Sequence, residues 1–287
     1  MIRKISEIMI KDYTIVDSLW GLRRIHYIAE QSEIDCFPVS DNGRIIGILT
    51  RNDLMKSHPN RIVLDAMSGS FRYIGVNESV WKAKEIFYKD NADILLVTSD
   101  DEVIGIVTKQ VLNYELGKHI DLLTGLSKSD YIYYRALELL ELDSEISVVF
   151  FDIDNFGYID KKFGHAIGDR ILQEIATLLM INTPERGYSC RYGGDEFAML
   201  TTYNTDDCEA FVQRLLQAIR DHKFPHNIPL SVSAGIAGGK RISKRKTDMF
   251  EMVSNLINIA SLASTKAKNE KGNLVSEFCE FIDEIAI

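Results

Sequence analysis

A basic excess, long apolar runs and clustered cysteines are all missing from this chain of 287 residues, and each absence removes a class of function. With 33 lysines and arginines against 42 aspartates and glutamates, the formal net charge is −9, so the basic face needed for sequence-independent nucleic-acid binding is not expected. Uninterrupted apolar stretches fall well short of the roughly 20 residues of a spanning helix, which argues against membrane insertion. Cys36, Cys190, Cys208 and Cys279 stand far apart without metal-ligand spacing, and no signal-peptide pattern precedes them. Reduced thiols in a cytoplasmic protein are the expectation. The remaining composition, 46% hydrophobic and 26% charged, is that of a globular chain long enough for two domains with their own cores.

The first half repeats itself. Met9 and Met67, Val39 and Val97, Gly47 and Gly105, and Thr50 and Thr108 are each separated by 58 positions. In the first copy, helical spacing at Leu22, Ile25, Ile28 and Ala29 precedes strand-like runs around the Asp41-Asn42-Gly43 turn. The second copy places Asp93–Val97 and Val103–Val107 around Asp100-Asp101. Thr50-Arg51-Asn52-Asp53 reads as a helix start, with Thr50 as N-cap and Asp53 at the third helical position. The second copy keeps Thr108 but has Val111 in the place of Asp53. Residues 110–120, with Val111, Leu112, Leu116 and Ile120 and no proline, predict a short helix leading into the second half.

Acids gather at two strand ends in that second half. Ser147-Val148-Val149-Phe150-Phe151 has the pattern of a strand buried on both faces, and it stops at Asp152-Ile153-Asp154. Tyr188–Tyr192 and Glu196–Leu200 flank Gly193-Gly194, which predicts a hairpin with both glycines at φ > 0 and Asp195 and Glu196 at its tip. Carboxylates at the end of a buried strand repel one another and lose hydration, and a shared divalent cation relieves both. Mg²⁺ takes one or two protein carboxylates plus substrate phosphates, so Asp152 with Asp195 suggests phosphoryl-transfer chemistry. The periodicities predict helices over 129–142, 168–181, 205–221 and 248–270, strands over 147–153, 229–237 and 274–279, and a hairpin over 188–203.

Arg191-Tyr192-Gly193-Gly194-Asp195-Glu196-Phe197 resembles the signature of the GGDEF family, the diguanylate cyclases. Asp121-Leu122-Leu123-Thr124-Gly125-Leu126 resembles its opening motif, Asp152–Phe156 with Phe163-Gly164-His165 and Gly168-Asp169 its metal and guanine segment, and Ser231–Ile236 and Ala267-Lys268 its late strand and last helix. The duplicated half is similar to tandem CBS domains, which commonly bind adenine nucleotides and regulate an attached catalytic domain. Together they imply an α+β chain: CBS domains over 1–60 and 61–118, then a palm-like βαββαβ nucleotidyl cyclase domain over 119–287.

The resemblance implies condensation of two GTP into cyclic diguanylate by a homodimer, each domain holding one GTP. It assigns Asp152, the Ile153 carbonyl and Asp195 to Mg²⁺ or Mn²⁺, with Glu196 as a further metal or proton-handling carboxylate. Backbone N–H groups of Asn155, Phe156 and Gly157 and the Lys268 ammonium fall on the phosphates. Asp160 and Asp169 fall on guanine with His165 nearby, and Thr50 and Asp53 on a CBS ligand. Three positions depart from the family: Asp160 replaces an asparagine, Gly157 a lysine and Gly272 an arginine. Lys271 and the basic run Lys240–Lys246 are the neighbouring positive charges. These departures keep a second implication open, a catalytically weak or idle domain that holds GTP and signals through contacts. The family's inhibitory Arg-x-x-Asp would fall on Pro184–Gly187 and is absent.

Overall fold

Each copy of the repeat folds as a three-stranded sheet with its helices. The computed structural model describes residues 2–31, 34–240, 249–270 and 273–281, and contacts divide the chain into Met1–Gly117 and Lys118–Ile287. The first unit runs β1 (Val16–Asp17), α1 (Leu22–Gln31), β2 (Cys36–Asp41), β3 (Arg44–Thr50) and α2 (Arg51–Lys56), then β4 (Phe71–Gly75), α3 (Val80–Lys89), β5 (Ile94–Ser99), β6 (Glu102–Thr108) and α4 (Lys109–Lys118). Its sheets are ordered β1-β2-β3 and β4-β5-β6, a parallel pair followed by an antiparallel hairpin in each. Even the irregularities are duplicated. A bulge after Val39 recurs after Val97, and the turn pairs Asn42-Gly43 and Asp100-Asp101 all adopt positive φ, as a two-residue hairpin turn of the mirrored type requires.

The copies exchange their leading segments. Ile10 bridges to Ile106 in the second sheet, and Ser68 bridges to Ile48 in the first. A Cβ at Gly105 would come within 3.0 Å of Met9 Sδ, and one at Gly47 within 2.7 Å of Met67 Sδ, which explains why these Met and Gly positions recur at the same offset. Cys36, Ile48, Ile94, Leu96 and Ile106 form the core of the seam. The expected boundary at residue 60 therefore marks the sequence repeat, while the folded copies interlock across it.

The second unit runs β7 (Ser127–Lys128), α5 (Ser129–Glu141), β8 (Ile146–Ile153), α6 (Phe156–Phe163), α7 (His165–Asn182), β9 (Tyr188–Gly193), β10 (Glu196–Thr201), α8 (Thr205–Asp221), β11 (Val232–Lys240), α9 (Met249–Glu270) and β12 (Leu274–Phe281). Its six strands lie in the order β12-β11-β8-β10-β9-β7, with β8 antiparallel to both neighbours. Val148 and Phe150 of β8 pack with Ile132, Ala136 and Leu140 of α5 and Leu256 and Ala260 of α9. Val149, Phe151 and Ile153 pack on the other face with Ile171 and Ile175 of α7 and Val212 and Leu216 of α8. The strand is buried on both faces, as its run of apolar residues predicts.

Three local expectations are corrected. The hairpin loop is Gly194-Asp195, because Gly193 pairs with Glu196 and only Gly194 takes positive φ, at +52°. One αL position is enough here, since a register shift between Glu196 and Phe197 absorbs the extra residue. Helix α7 begins at His165 rather than 168, and α6 ahead of it was not anticipated. Only Ile159 of its eight residues is buried, too little for a periodicity to show. Gly164, at φ +86°, breaks the two helices apart. Among the described residues no helix is long and apolar enough to cross a membrane.

Candidate active site

Strand register brings the acids together. Glu196, first residue of β10, pairs directly with Asp152, next to last in β8, and Ser233 of β11 pairs with Asp152 from the other side. Directly paired residues share a sheet face, so Asp152 and Glu196 project with Phe150 toward α9. The Ile153 N–H reaches the Asp195 carbonyl at 3.4 Å, which places the hairpin tip against the end of β8. Gly235 brings α9 close, because any side chain there would collide with the Ala260 carbonyl and Ser264 N–H of the helix backbone. One helical turn beyond Ser264, Lys268 Nζ lies 2.5 Å from Asp152 Oδ1.

The remaining acids fall into two groups. Asp154 is bound by the Ser231 and Ser233 hydroxyls at 2.6 and 2.8 Å, tying the end of β8 to the start of β11. Both hydroxyls come from serines 77 and 79 positions further along the chain, so Asp154 braces two strands that are distant in sequence. Asp152 and Glu196 are strained electrostatically. Burial pushes the Asp152 carboxyl above the usual carboxylate range, and the charges of Asp195 and Asp154 add to that against the Lys268 ammonium. Burial raises Glu196 as well, followed by the charges of Asp152 and Asp195.

A divalent cation fits this donor set. Among the described residues no three His, Cys, Asp or Glu side chains converge to hold a metal on their own. Mg²⁺ needs only one or two protein carboxylates and completes its shell with phosphate oxygens and water, so Asp152 and Asp195 are enough donors for it. The neighbouring negative charges that add to burial in raising Asp152 and Glu196 are the charges such an ion would balance, and Lys268 balances part of them.

Next along the chain, Asn155 at φ +56° turns the backbone into α6, leaving the Phe156 and Gly157 N–H groups without acceptors in their own helix. Asp160 and His165 meet at the junction of α6 and α7, with Oδ2 and Nδ1 2.6 Å apart, and Asp169 is exposed in the first turns of α7. Gly272, Lys271 and the basic run from Arg241 to Lys246 lie outside the described residues, as does the side chain of Cys279.

Sequence reasoning missed the brace behind the hairpin. Arg191 donates from Nε and Nη2 to the Gly194 carbonyl, at 3.0 and 2.7 Å, and from Nη1 to Asp121 Oδ1 at 2.9 Å. Asp121 also accepts from the Thr124 N–H and hydroxyl at 2.9 and 2.6 Å. Burial raises the Asp121 carboxyl, but the hydrogen bonds from Thr124 and Arg191 outweigh it and hold the group below its ordinary value. Two segments that sequence inspection treats as separate motifs thus form one clamp that fixes the tip carrying Asp195.

In the first unit Thr50 and Asp53 form the expected reciprocal cap. The Thr50 N–H and hydroxyl donate to Asp53 Oδ2 at 2.9 and 2.6 Å, and the Asp53 N–H donates back to Thr50 Oγ1 at 3.2 Å. Both line a cleft of about 390 Å³ with Asp35, Ser68, Asp93 and Lys109. Two of its acids are paired, Asp35 with Arg51 at 2.7 Å and Asp93 with Lys109 at 3.3 Å. Cys36 lines the cleft too, and burial followed by the charges of Asp53, Asp93 and Asp35 pushes its thiol up to about 12, which makes it inert. On the second copy, the Val111 N–H donates to Thr108 Oγ1 at 3.3 Å, and Val111 offers no carboxylate to the adjoining cleft of about 620 Å³.

Family models match both units. A family model described as diguanylate cyclase, GGDEF domain, matches residues 118–274, and the CBS domain model matches residues 5–59 and 63–113. The biofilm architecture maintenance protein MbaA of Vibrio cholerae is 33% identical over 152 residues, covering 49% of this chain and 18% of its own. Diguanylate cyclase DgcS of Shewanella oneidensis is 30% identical over 122 residues, 41% of each chain. The matched part is thus less than half the length of these relatives. The crystal structure of the coiled coil and GGDEF domain of DgcB from Caulobacter crescentus, in complex with c-di-GMP, superposes with a TM-score of 0.52 at 18% identity, over 59% of this chain and 91% of that one, a likeness of fold.

Proposed function

Since the chain belongs to the GGDEF diguanylate cyclase family and carries a CBS pair ahead of that domain, we propose that it condenses two GTP molecules into cyclic diguanylate and pyrophosphate. The observation that carries this reading is the meeting of Asp152, Asp195, Glu196 and Lys268 at one end of the central strands. Asp152, Asp195 and the Ile153 carbonyl would hold Mg²⁺ or Mn²⁺. That ion supplies Lewis acidity, lowering the pKa of an attacking 3′ hydroxyl and offsetting charge on the departing pyrophosphate.

The chain's own residues do the positioning. The N–H groups at Asn155, Phe156 and Gly157 cradle phosphate oxygens at a helix start, where the backbone partial charge is positive. Lys268 stands within reach of the same oxygens. Glu196, whose raised pKa makes it a stronger base than an ordinary carboxylate, takes up a proton at the reacting hydroxyl. Asp160, His165 and Asp169 face the base, and carboxylates there suit the N–H donors of guanine, which adenine lacks at those positions. One domain holds one GTP, so the active form is a homodimer. In the first unit, the cleft lined by Thr50 and Asp53 takes an adenine nucleotide, with the Thr50 hydroxyl turning from Asp53 to phosphate and the freed carboxylate accepting from ribose, and this ligand regulates the cyclase.

Incubating the purified protein with GTP and Mg²⁺, with and without AMP or ATP, tests the reading. Cyclic diguanylate is the expected product, and Asp195→Ala is expected to abolish its formation while the thermal unfolding profile stays that of a folded protein. Retained turnover in Asp195→Ala would refute the site, and GTP that binds but stays unchanged would make this a binding domain.

A further inference from the structure

Resting on the reading of the second unit as a guanine-nucleotide site, we propose that His165, held in place by Asp160, donates a hydrogen bond to the O6–N7 edge of the bound base. Asp160 sits on α6 and reaches across the Gly164 break, its Oδ2 2.6 Å from His165 Nδ1. Its other oxygen rests against Gly168, where a Cβ would collide with it, so the carboxylate is wedged between the imidazole and the first turns of α7. The imidazole itself is free to meet a ligand, with 91% of the side chain exposed against 22% for Asp160.

The chemistry of the cluster assigns the role. Guanine presents N–H donors at N1 and N2 and acceptors at O6 and N7. A carboxylate only accepts, so Asp160 and Asp169 can satisfy the donors and can give nothing to O6 or N7. Of these three side chains only His165 has a hydrogen to offer. Because a carboxylate can accept only from a protonated Nδ1, that hydrogen is committed to Asp160, and the free one must come from Nε2. The donating ring therefore carries a hydrogen on each nitrogen, one on Asp160 and one for the base. The charged and titratable groups around it are Asp160, Lys161 and Lys162 on α6, Asp169 on α7, and His226, which stacks on Phe163 from the 3₁₀ turn at Pro225–Asn227. An amide at position 160 would supply its own N–H and make the histidine dispensable.

Initial rates with the full chain and Mg²⁺ test this. His165→Ala is expected to raise KM for GTP roughly tenfold, the loss expected for one hydrogen bond from a charged donor, with kcat within about twofold. The penalty should vanish with 7-deaza-GTP, which lacks N7, or with 2-aminopurine riboside triphosphate, which lacks O6. Asp160→Asn in the His165→Ala background should restore KM to near the starting value, because the amide supplies the missing N–H. An unchanged KM in His165→Ala, or an equal penalty with both analogues, would overturn the inference. If no cyclic product forms, the same comparisons are read as dissociation constants for 3′-deoxy-GTP by calorimetry. A chain that makes cyclic diguanylate with a silent His165 sinks only this inference, whereas one that binds no guanine nucleotide sinks the functional reading with it.

Discussion

Asp152 and Glu196 are ionisable groups that the fold crowds together, and the crowding comes at the expense of stability. Both carboxyls are raised, so their ionised forms disfavour the folded state near neutrality. As pH falls through those raised folded values toward the ordinary carboxylate range, the metal-free protein gains stability. Asp121 runs the other way: its folded value is lowered, so its contribution is present above its unfolded pKa and is lost as pH falls through the folded one. Glu196→Gln removes one of the crowded charges at little change in shape. It is expected to raise the melting temperature of the metal-free protein at pH 7 by about 1–3 °C and flatten the gain on mild acidification, while cutting turnover by about 100-fold or more. Melts between pH 8 and 4 without divalent ions, paired with product assays, check both halves. A lower melting temperature at pH 7 would show that Glu196 is a stabilising group.

The acids were legible because they lie in short motifs that stop at strand ends, and Lys268 because the family resemblance marks it on the last helix. The partners that hold them were not. Arg191 reaches Asp121 across 70 positions and Ser231 reaches Asp154 across 77, and no local pattern links residues that far apart.

At the level of elements, α9 matters for where it delivers Lys268. The helix touches β11 backbone to backbone at Gly235, so its height above the sheet is set by a missing side chain. Gly235→Ala forces helix and strand apart at a contact with no flexible atom to give way. A loss of about 1–3 kcal/mol of stability is expected, the usual cost of overpacking a filled core. Activity should fall beyond what the unfolded fraction explains, because Lys268 shifts with the helix; denaturant melts and rates at a temperature where the variant is fully folded separate the two. Unaltered rates in the folded variant would show that Lys268 tolerates the displacement. Element types were legible from periodicity for the long helices and for β8. Helix α6 was not, since eight residues with a single buried position leave no stripe to detect, and Gly193 and Gly194 look equivalent in sequence although only Gly194 lies in the hairpin loop. Register decides between them, and register is a property of the strand pair.

At the scale of the whole chain, the internal offset of 58 foretold two copies of one module, and the exchange of Met9 and Met67 segments gave the recurring Met and Gly positions their reason. The exchange itself was not legible, because the same residues would repeat if each copy kept its own segment. The second unit, in contrast, brings together one cluster of acids among the described residues, and the proposed reaction would consume two nucleotides, each attacking the other. On that proposal one chain would offer half of what the chemistry needs, and the missing half would be a second copy. Two consequences follow for measured rates. Turnover per chain should fall as the protein is diluted below the concentration at which copies associate. Mixing equal amounts of unaltered protein and Asp195→Ala, with time for exchange, should lower turnover per unaltered chain to about half, since random pairing gives each unaltered chain an unaltered partner half the time and a mixed pair cannot close the ring. Turnover per unaltered chain that holds steady through both dilution and mixing would mean that a single copy completes the reaction, and the homodimer would have to be abandoned.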